Sequence, residues 1–432
     1  MRIIWSFFIC ISCAVMLTAC AAVPSHLNSS DTGRPRKIAV FFDGTANEPS
    51  SDTNIRKLHS IVSLQPNPAI ATFYIEGVGA QGKAIGMGMG WGFGDRVRKA
   101  YAFLQEEYRE NNEIYIFGFS RGAYSARALA ALLYYAGIPK PSNDLRLSEL
   151  RQIYEERAVL IYDAYKGDQI GRRERIQKVF RQNSIGDRDP TPVHIKVLGL
   201  WDTVEALGIP DYTEEFESPN YRYGDQLCNV EKAYHAMSID DDRARIFTPI
   251  LLTWPHLLED CQKNGIDQFP DTMTKVNHLN TVVEEVYFAG AHADVGGGYP
   301  DSLLSGVSLN WMLRSLSGTG LLPSHSPVLV REDKFGPSHD PEHGFFWGLL
   351  YHRQSRNLVK HLTNGEYLYN DGRLKIHKSA LDRLDKCESE ICKHEDHEFP
   401  WASWPGGCFK QEAGRYVVDW NRLKECKIDA VL

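Results

Sequence analysis

The stretch IYIFGFSRGAYSARALAALLYY, residues 114–135, decides how the rest of the chain is read. Ile114 to Phe119 are apolar and rich in β-branched and aromatic side chains, which predicts a buried strand. From Tyr124 to Tyr135 alanine and leucine take over, which predicts a helix. Between them stands Gly118-Phe119-Ser120-Arg121-Gly122. A serine between two glycines at a strand-to-helix junction fits a nucleophile elbow. The glycines let the chain turn without Cβ clashes, the hydroxyl stands above the sheet, and the helix dipole points at it. A serine that only caps a helix would leave Gly118 and Gly122 unexplained.

Outward from this junction, strands and helices alternate. Lys37 to Phe42 (KIAVFF), Ala71 to Ile75, Val193 to Trp201 and Val286 to Ala291 read as strands, and Asn54 to Ser63 and Asp95 to Tyr108 as helices. That alternation predicts an α/β fold, α/β-hydrolase-like, with a mostly parallel sheet and helices on both faces. Ligands on such sheets gather at the carboxyl ends of the strands. The division expected is residues 1–19 as a signal, 20–36 as a tether, 37–320 as the main domain, and 321–432 as a cysteine-containing subdomain over the core. Within the main domain, residues 141–190 and 205–283 read as insertions. The first carries the basic run Arg172, Arg173, Arg175 and Lys178, read as a solvated face and alternatively as a lid or an anionic-lipid contact.

A serine hydroxyl is a weak nucleophile, so it needs an imidazole to take its proton and a carboxylate to orient that imidazole. Asp202 follows the strand ending in Gly199-Leu200-Trp201, and His292 follows the strand ending at Ala291. Both are expected at the sheet edge that carries Ser120, in the chain order serine, acid, histidine. Asp260 is the alternative acid, and Asp240, Asp241 and Asp242 read as a solvated cluster. The first strand ends in Phe42-Asp43-Gly44-Thr45, where Phe41 stands in the place of a phosphatase's nucleophilic aspartate. Its loop, near Asp43 and Gly44, is expected to give one oxyanion N–H from Gly44, and Arg121 the other. Asp294-Val295-Gly296-Gly297-Gly298 reads as a tight loop that brings backbone close to the site, with Asp294 in support. Eight glycines between Gly77 and Gly94, interleaved with Met87, Met89, Trp91 and Phe93, read as either an apolar flap or a plain connection. They lack the lysine and hydroxyl residue that end a P-loop.

The chain has 432 residues, 43% hydrophobic and 24% charged, with a formal net charge of −7. This composition excludes dominant disorder and does not support a broad cationic surface for nucleic acid. Arg2 and the apolar run Ile3 to Leu17 have the build of a signal peptide. The run closes in Leu17-Thr18-Ala19-Cys20, which resembles a bacterial lipobox, so Cys20 is the expected lipidation site and membrane attachment the expected consequence. Beyond it six cysteines remain: Cys228, Cys261, Cys387, Cys392, Cys408 and Cys426. Disulfides in an oxidising compartment are expected; a zinc cluster of Cys387, Cys392, His394, His397 and Cys408 is the alternative.

Together, Phe42-Asp43-Gly44-Thr45, Gly118-Phe119-Ser120-Arg121-Gly122-Ala123, Gly199-Leu200-Trp201-Asp202-Thr203-Val204 and His292-Ala293-Asp294-Val295-Gly296-Gly297-Gly298 resemble a known family. It is the α/β-hydrolase domain of type VI secretion phospholipase effectors, and the likeness runs from about Lys37 to Leu313, with an echo at His377-Lys378-Ser379. The resemblance implies a triad of Ser120, Asp202 and His292, phospholipase or lipase-like ester hydrolysis, and neither a metal nor another cofactor for the chemistry. The expected partners are a lipid or phospholipid ester and the membrane, at the periplasmic face of a bacterial outer membrane. A membrane-tethered binding protein on a hydrolase fold is the alternative reading. Oligomeric state is left open.

Overall fold

Strand β2 (Lys37–Phe42) is buried from Ile38 onward, and alternate side chains belong to two cores. Ile38, Val40 and Phe42 pack into one, Ala39 and Phe41 into the other. A strand apolar on both faces needs cover on both, which is the condition of a parallel sheet between helical layers. A computed structural model describes residues 24–25, 36–44, 51–65, 70–77, 92–139, 147–185, 192–205, 223–241, 243, 249–263, 265–323, 329–339, 356, 368–386, 408–412 and 415–432.

In chain order the remaining elements are β1 (Pro24–Ser25), α1 (Asn54–Ser63), β3 (Ile70–Ile75), α2 (Phe93–Glu107), β4 (Glu113–Phe119), α3 (Arg121–Ala136), α4 (Leu147–Tyr165), α5 (Arg172–Gln182), β5 (Val197–Trp201) and β6 (Ala233–Ser238). They continue with β7 (Gln262–Lys263), β8 (Ile266–Asp267), α6 (Thr272–Val282), β9 (Val283–Phe288), α7 (His292–Gly296), α8 (Leu303–Leu316), β10 (Leu374–His377), α9 (Lys378–Lys386), β11 (Phe409–Glu412), β12 (Arg415–Val418) and β13 (Ile428–Val431). The main sheet runs β1-β3-β2-β4-β5-β6-β9-β10-β13; only β1 is antiparallel to its neighbour, leaving eight parallel strands. Helices α2 and α3 cover one face with Val97, Tyr101, Leu129 and Leu133, while α1 and α8 cover the other with Leu58, Val62, Leu309 and Met312.

Several boundaries differ from the sequence reading. The segment 205–283 is not wholly an insertion, because β6 lies inside it and forms a central strand between β5 and β9. Its mixed AYHAMS sequence hides it, since His235 is fully buried there. The segment after residue 321 does not stand apart over the core: β10 and β13 extend the same sheet. The Asp294 loop is the short helix α7, closed by Gly297 with φ +81°.

The basic run is not a solvated face either. Arg172 is buried over the rings of Tyr135 and Tyr165, and it donates to the carbonyls of Tyr165 and Gly167. Arg175 donates to the carbonyls of Ala164, Ile170 and Asp168, and Arg173 lies over Tyr134 and Tyr135. These side chains clamp α5 onto α3 and α4; only Lys178 of the four is exposed. Disulfides join Cys228 to Cys261 and Cys408 to Cys426. The second pairing takes Cys408 out of the zinc alternative; Cys387, Cys392, His394 and His397 lie outside the described residues, as do Cys20 and residues 78–91 of the glycine-rich stretch. Among the described residues no helix is long and apolar enough to cross a membrane.

Candidate active site

Ser120 is the residue between β4 and α3, and its backbone is left-handed, with φ +59° and ψ −130°. A non-glycine residue in that region is strained, and the strain holds only because the surroundings fix the turn. Two glycines make those surroundings possible. A Cβ on Gly118 would lie 2.5 Å from the carbonyl oxygen of Gly122, and one on Gly122 would lie 2.3 Å from that of Phe42. The first turn of α3 can therefore sit on the ends of β4 and β2 only with hydrogens at those positions. The Ser120 N–H donates to the carbonyl of Trp201 at 3.0 Å, which ties the elbow to β5.

Phe119 and Trp201 are partners in the β4–β5 register, so Ser120 and Asp202 leave adjacent strands side by side. Asp202 is fully buried and also left-handed, with φ +37°. The Asp202 N–H donates to the carbonyl of Ala236, and a second buried pair secures the next residue. His235 Nε2 accepts the Thr203 N–H at 3.1 Å, so its proton is on Nδ1, which donates to Glu285 at 2.8 Å.

His292 opens α7 just beyond β9. Its Nδ1 lies 2.5 Å from Asp202 Oδ2, its ring packs 4.7 Å from that of Phe119, and its backbone N–H donates to Asp241 at 3.0 Å. Burial pushes the imidazole below the usual histidine range, against the opposing pull of Asp202. Burial would by itself raise the Asp202 carboxyl, but the adjacent guanidinium of Arg356 and the bond from His292 hold it well below the carboxylate range. An ionised carboxylate only accepts, so Nδ1 carries the proton and Nε2 is the basic nitrogen.

Three expectations change here. Asp260 is not near this edge: its carboxylate accepts from Tyr135, next to the last residue of α3, while Ser120 precedes the first. At about 1.5 Å per residue the two ends are roughly 20 Å apart. Asp241 is not solvated but fully buried and paired with Arg243 at 2.6 Å; Asp240 accepts the Gly290 N–H at 2.6 Å. The Gly44 N–H donates to Asp43 Oδ1 at 2.7 Å, so its neighbour's carboxylate, and not an oxyanion, is its partner. Arg121 is the first residue of α3, so its N–H lies at the positive end of the helix dipole.

The supporting residues build walls. Asp43 is fully buried and accepts from Tyr74 Oη at 2.5 Å and Thr53 Oγ1 at 2.7 Å, while Arg96 reaches its backbone carbonyl at 2.5 Å. Burial outweighs those bonds and pushes its carboxyl up to about 6. Asp294 accepts from the Ala291 and His339 N–H groups and pairs with His339 Nδ1 at 2.6 Å, joining α7 to the segment 329–339. His377, at the end of β10, has its Nδ1 2.7 Å from Ser379 Oγ and stacks on Phe288.

Arg356 is the residue that the sequence reading missed. It pairs across 154 positions with Asp202, so neither periodicity nor local spacing could point to it.

Residues 36–315 match the family described as T6SS, phospholipase effector Tle1-like, catalytic domain. The chain belongs to that family. The matched residues take in Ser120, Asp202 and His292. The chain is also 23% identical, over 296 residues, to an uncharacterised protein of Saccharomyces cerevisiae. That match takes in 61% of this chain but only 41% of the yeast protein. Among solved structures it is similar to an uncharacterised protein from Pseudomonas aeruginosa, with 18% identity, a TM-score of 0.38, and coverage of 69% of this chain and 47% of the other. A thermophilic esterase from Thermogutta terrifontis is similar at 13% identity and a TM-score of 0.35, with coverage of 71% and 95%. Likenesses at these levels add nothing to the strand order already described. Arg356 lies beyond the last residue of the family match.

Proposed function

We propose that this Tle1-like protein hydrolyses lipid or phospholipid esters through Ser120, His292 and Asp202, working from an acylated Cys20 at the periplasmic face of the bacterial outer membrane. The observation that carries the reading is the left-handed Ser120 at the β4–α3 elbow, beside a buried His292–Asp202 hydrogen bond on the same sheet edge.

Ser120 Oγ attacks the ester carbonyl carbon while His292 Nε2 takes its proton, and the carbonyl electrons move onto oxygen. The Arg121 N–H at the start of α3 supports that oxyanion, helped by the positive end of the helix dipole. Asp202 accepts the hydrogen bond from Nδ1–H throughout and stabilises the imidazolium. Collapse breaks the ester bond, His292 returns the proton to the departing alcohol, and an acyl-Ser120 remains. Water then repeats the sequence and releases the fatty acid.

Purified mature protein should turn over short p-nitrophenyl esters and phospholipid vesicles. Ser120→Ala should lose on the order of a millionfold in kcat. Activity within about tenfold of the wild type would assign the nucleophile elsewhere. The membrane part is tested separately, by radiolabelled palmitate on wild type and Cys20→Ser; equal labelling would remove Cys20 as the acylation site.

A further inference from the structure

Two buried ion pairs flank His292. On its Nδ1 side Arg356 grips Asp202 with both nitrogens, Nη1 to Oδ1 at 2.6 Å and Nη2 to Oδ2 at 2.8 Å, and neither side chain has any exposure. Arg356 Nη1 also donates to the Ser238 carbonyl at 2.7 Å, and the Ser238 N–H donates to Asp202 Oδ1 at 3.0 Å. On the backbone side Asp241 accepts the His292 N–H and pairs with Arg243. The other charged or titratable groups about this edge are Asp240 after β6, Asp294 of α7 with its partner His339 from the segment 329–339, Arg383 of α9, Tyr287 of β9, and Ser120 and Arg121 at the start of α3.

We propose that Arg356 is the positioning residue of the triad: its fork fixes the plane of the Asp202 carboxylate, and its charge cancels that carboxylate's, so His292 stays a neutral base to lower pH. The inference rests on the triad reading given above. A carboxylate beside an imidazole favours the imidazolium, and a guanidinium on the same carboxylate opposes it. Around His292 the two carboxylates Asp202 and Asp241 are matched by the two guanidiniums Arg356 and Arg243, so the charges cancel. Without Arg356 one negative charge is left over next to Nδ1. A planar, always-charged fork is what holds both oxygens at once, and lysine cannot reproduce it. Since Arg356 stands outside the family match, the segment after residue 315 completes the site.

The test is the acid limb of kcat/KM for p-nitrophenyl butyrate in wild type, Arg356→Met and Arg356→Lys. The wild-type limb should lie below the ordinary histidine value of about 6.5. Arg356→Met should move it up by roughly one unit and lower kcat at least tenfold with KM little changed. Arg356→Lys, which keeps charge but loses the fork, should lower kcat with the limb near its wild-type position. A wild-type limb at or above about 7, an unmoved or lowered limb in Arg356→Met, or unchanged kcat in both variants would overturn the proposal. If those two variants do not fold, Arg356→Gln, which keeps a planar amide donor without the charge, reads the same limb, and a limb left at the wild-type position there would overturn the proposal. If wild type has no ester turnover, the triad reading fails by itself; NMR titration of the His292 imidazole in wild type and Arg356→Met then still reads the charge effect, and equal titration in the two would overturn it.

Discussion

Asp43 and Asp202 are both fully buried, and each is the first residue after a parallel strand, yet their carboxyls are shifted in opposite directions. Asp43 is held by a tyrosine, a threonine and a backbone N–H, and burial pushes its carboxyl up to about 6. Arg96 is close, but its hydrogen bond goes to the Asp43 carbonyl. Asp202 meets the same burial, and a bidentate guanidinium with an imidazole reverses the outcome. The partner, more than the depth, decides whether a buried carboxyl serves as a fixed anion or as a hydrogen-bonded strut. In the proposed triad only the fixed anion can orient and stabilise an imidazolium.

The largest effect should come from making the two alike. Asp202→Asn keeps shape but removes the anion, and turnover should fall by roughly ten-thousandfold, as for the acid of a serine triad. Asp43→Asn should keep turnover within about tenfold, since no step passes through that carboxyl. Matched steady-state kinetics on the two variants check this; an equal loss in both would erase the distinction.

Next in size is the contact that joins the two regions. A Cβ on Gly122 would lie 2.3 Å from the Phe42 carbonyl oxygen and 2.5 Å from that of Asp43. Gly122→Ala should cost about 1–3 kcal/mol as an overpacked site, read by urea denaturation, and should displace the elbow enough to reduce turnover. A variant as stable and active as wild type would mean that α3 does not press on β2.

The proton linkage of the two carboxyls should have opposite signs. Asp43 has a folded value raised above the ordinary carboxyl value, so its contribution to stability is present at low pH and is lost as pH rises through about 6. Asp202 is depressed, so its contribution is present above the ordinary value of about 3.9 and is lost as pH falls below it. Thermal melts of wild type and Asp43→Asn between pH 4 and 7 should show the variant gaining on wild type as pH rises. A gap that is flat or closes the other way would contradict the raised value. Smallest is Thr53→Val, which removes the buried hydrogen bond to Asp43 and the N-cap of α1 on the Arg56 N–H, and should cost about 1–2 kcal/mol in the same melts.

The same contrast accounts for what could be read from the sequence. Asp202, Ser120 and His292 each follow an apolar strand, and parallel strands bring their carboxyl ends to one edge, so order along the chain translated into proximity. Gly118 and Gly122 carried information because backbone approaches so closely there. Long-range polar pairing leaves no such trace. Arg356 reaches Asp202 across 154 positions. Asp241 looks solvated beside Asp240 and Asp242 until Arg243 and the His292 N–H are seen around it. His235 makes β6 look unlike a core strand, although its pairing with Glu285 lets it be buried. The N–H of Gly44 goes to the carboxylate of its own neighbour Asp43, a local turn that residue types alone do not reveal.

The central claim, that Ser120 carries the acyl group, is tested most directly by stopped-flow hydrolysis of p-nitrophenyl butyrate followed by quench and peptide mass spectrometry. The account predicts a burst of p-nitrophenol equal to the enzyme concentration and a butyryl group on the peptide containing Ser120, both absent in Ser120→Ala. A butyryl group on another residue, or a burst that survives Ser120→Ala, would contradict it.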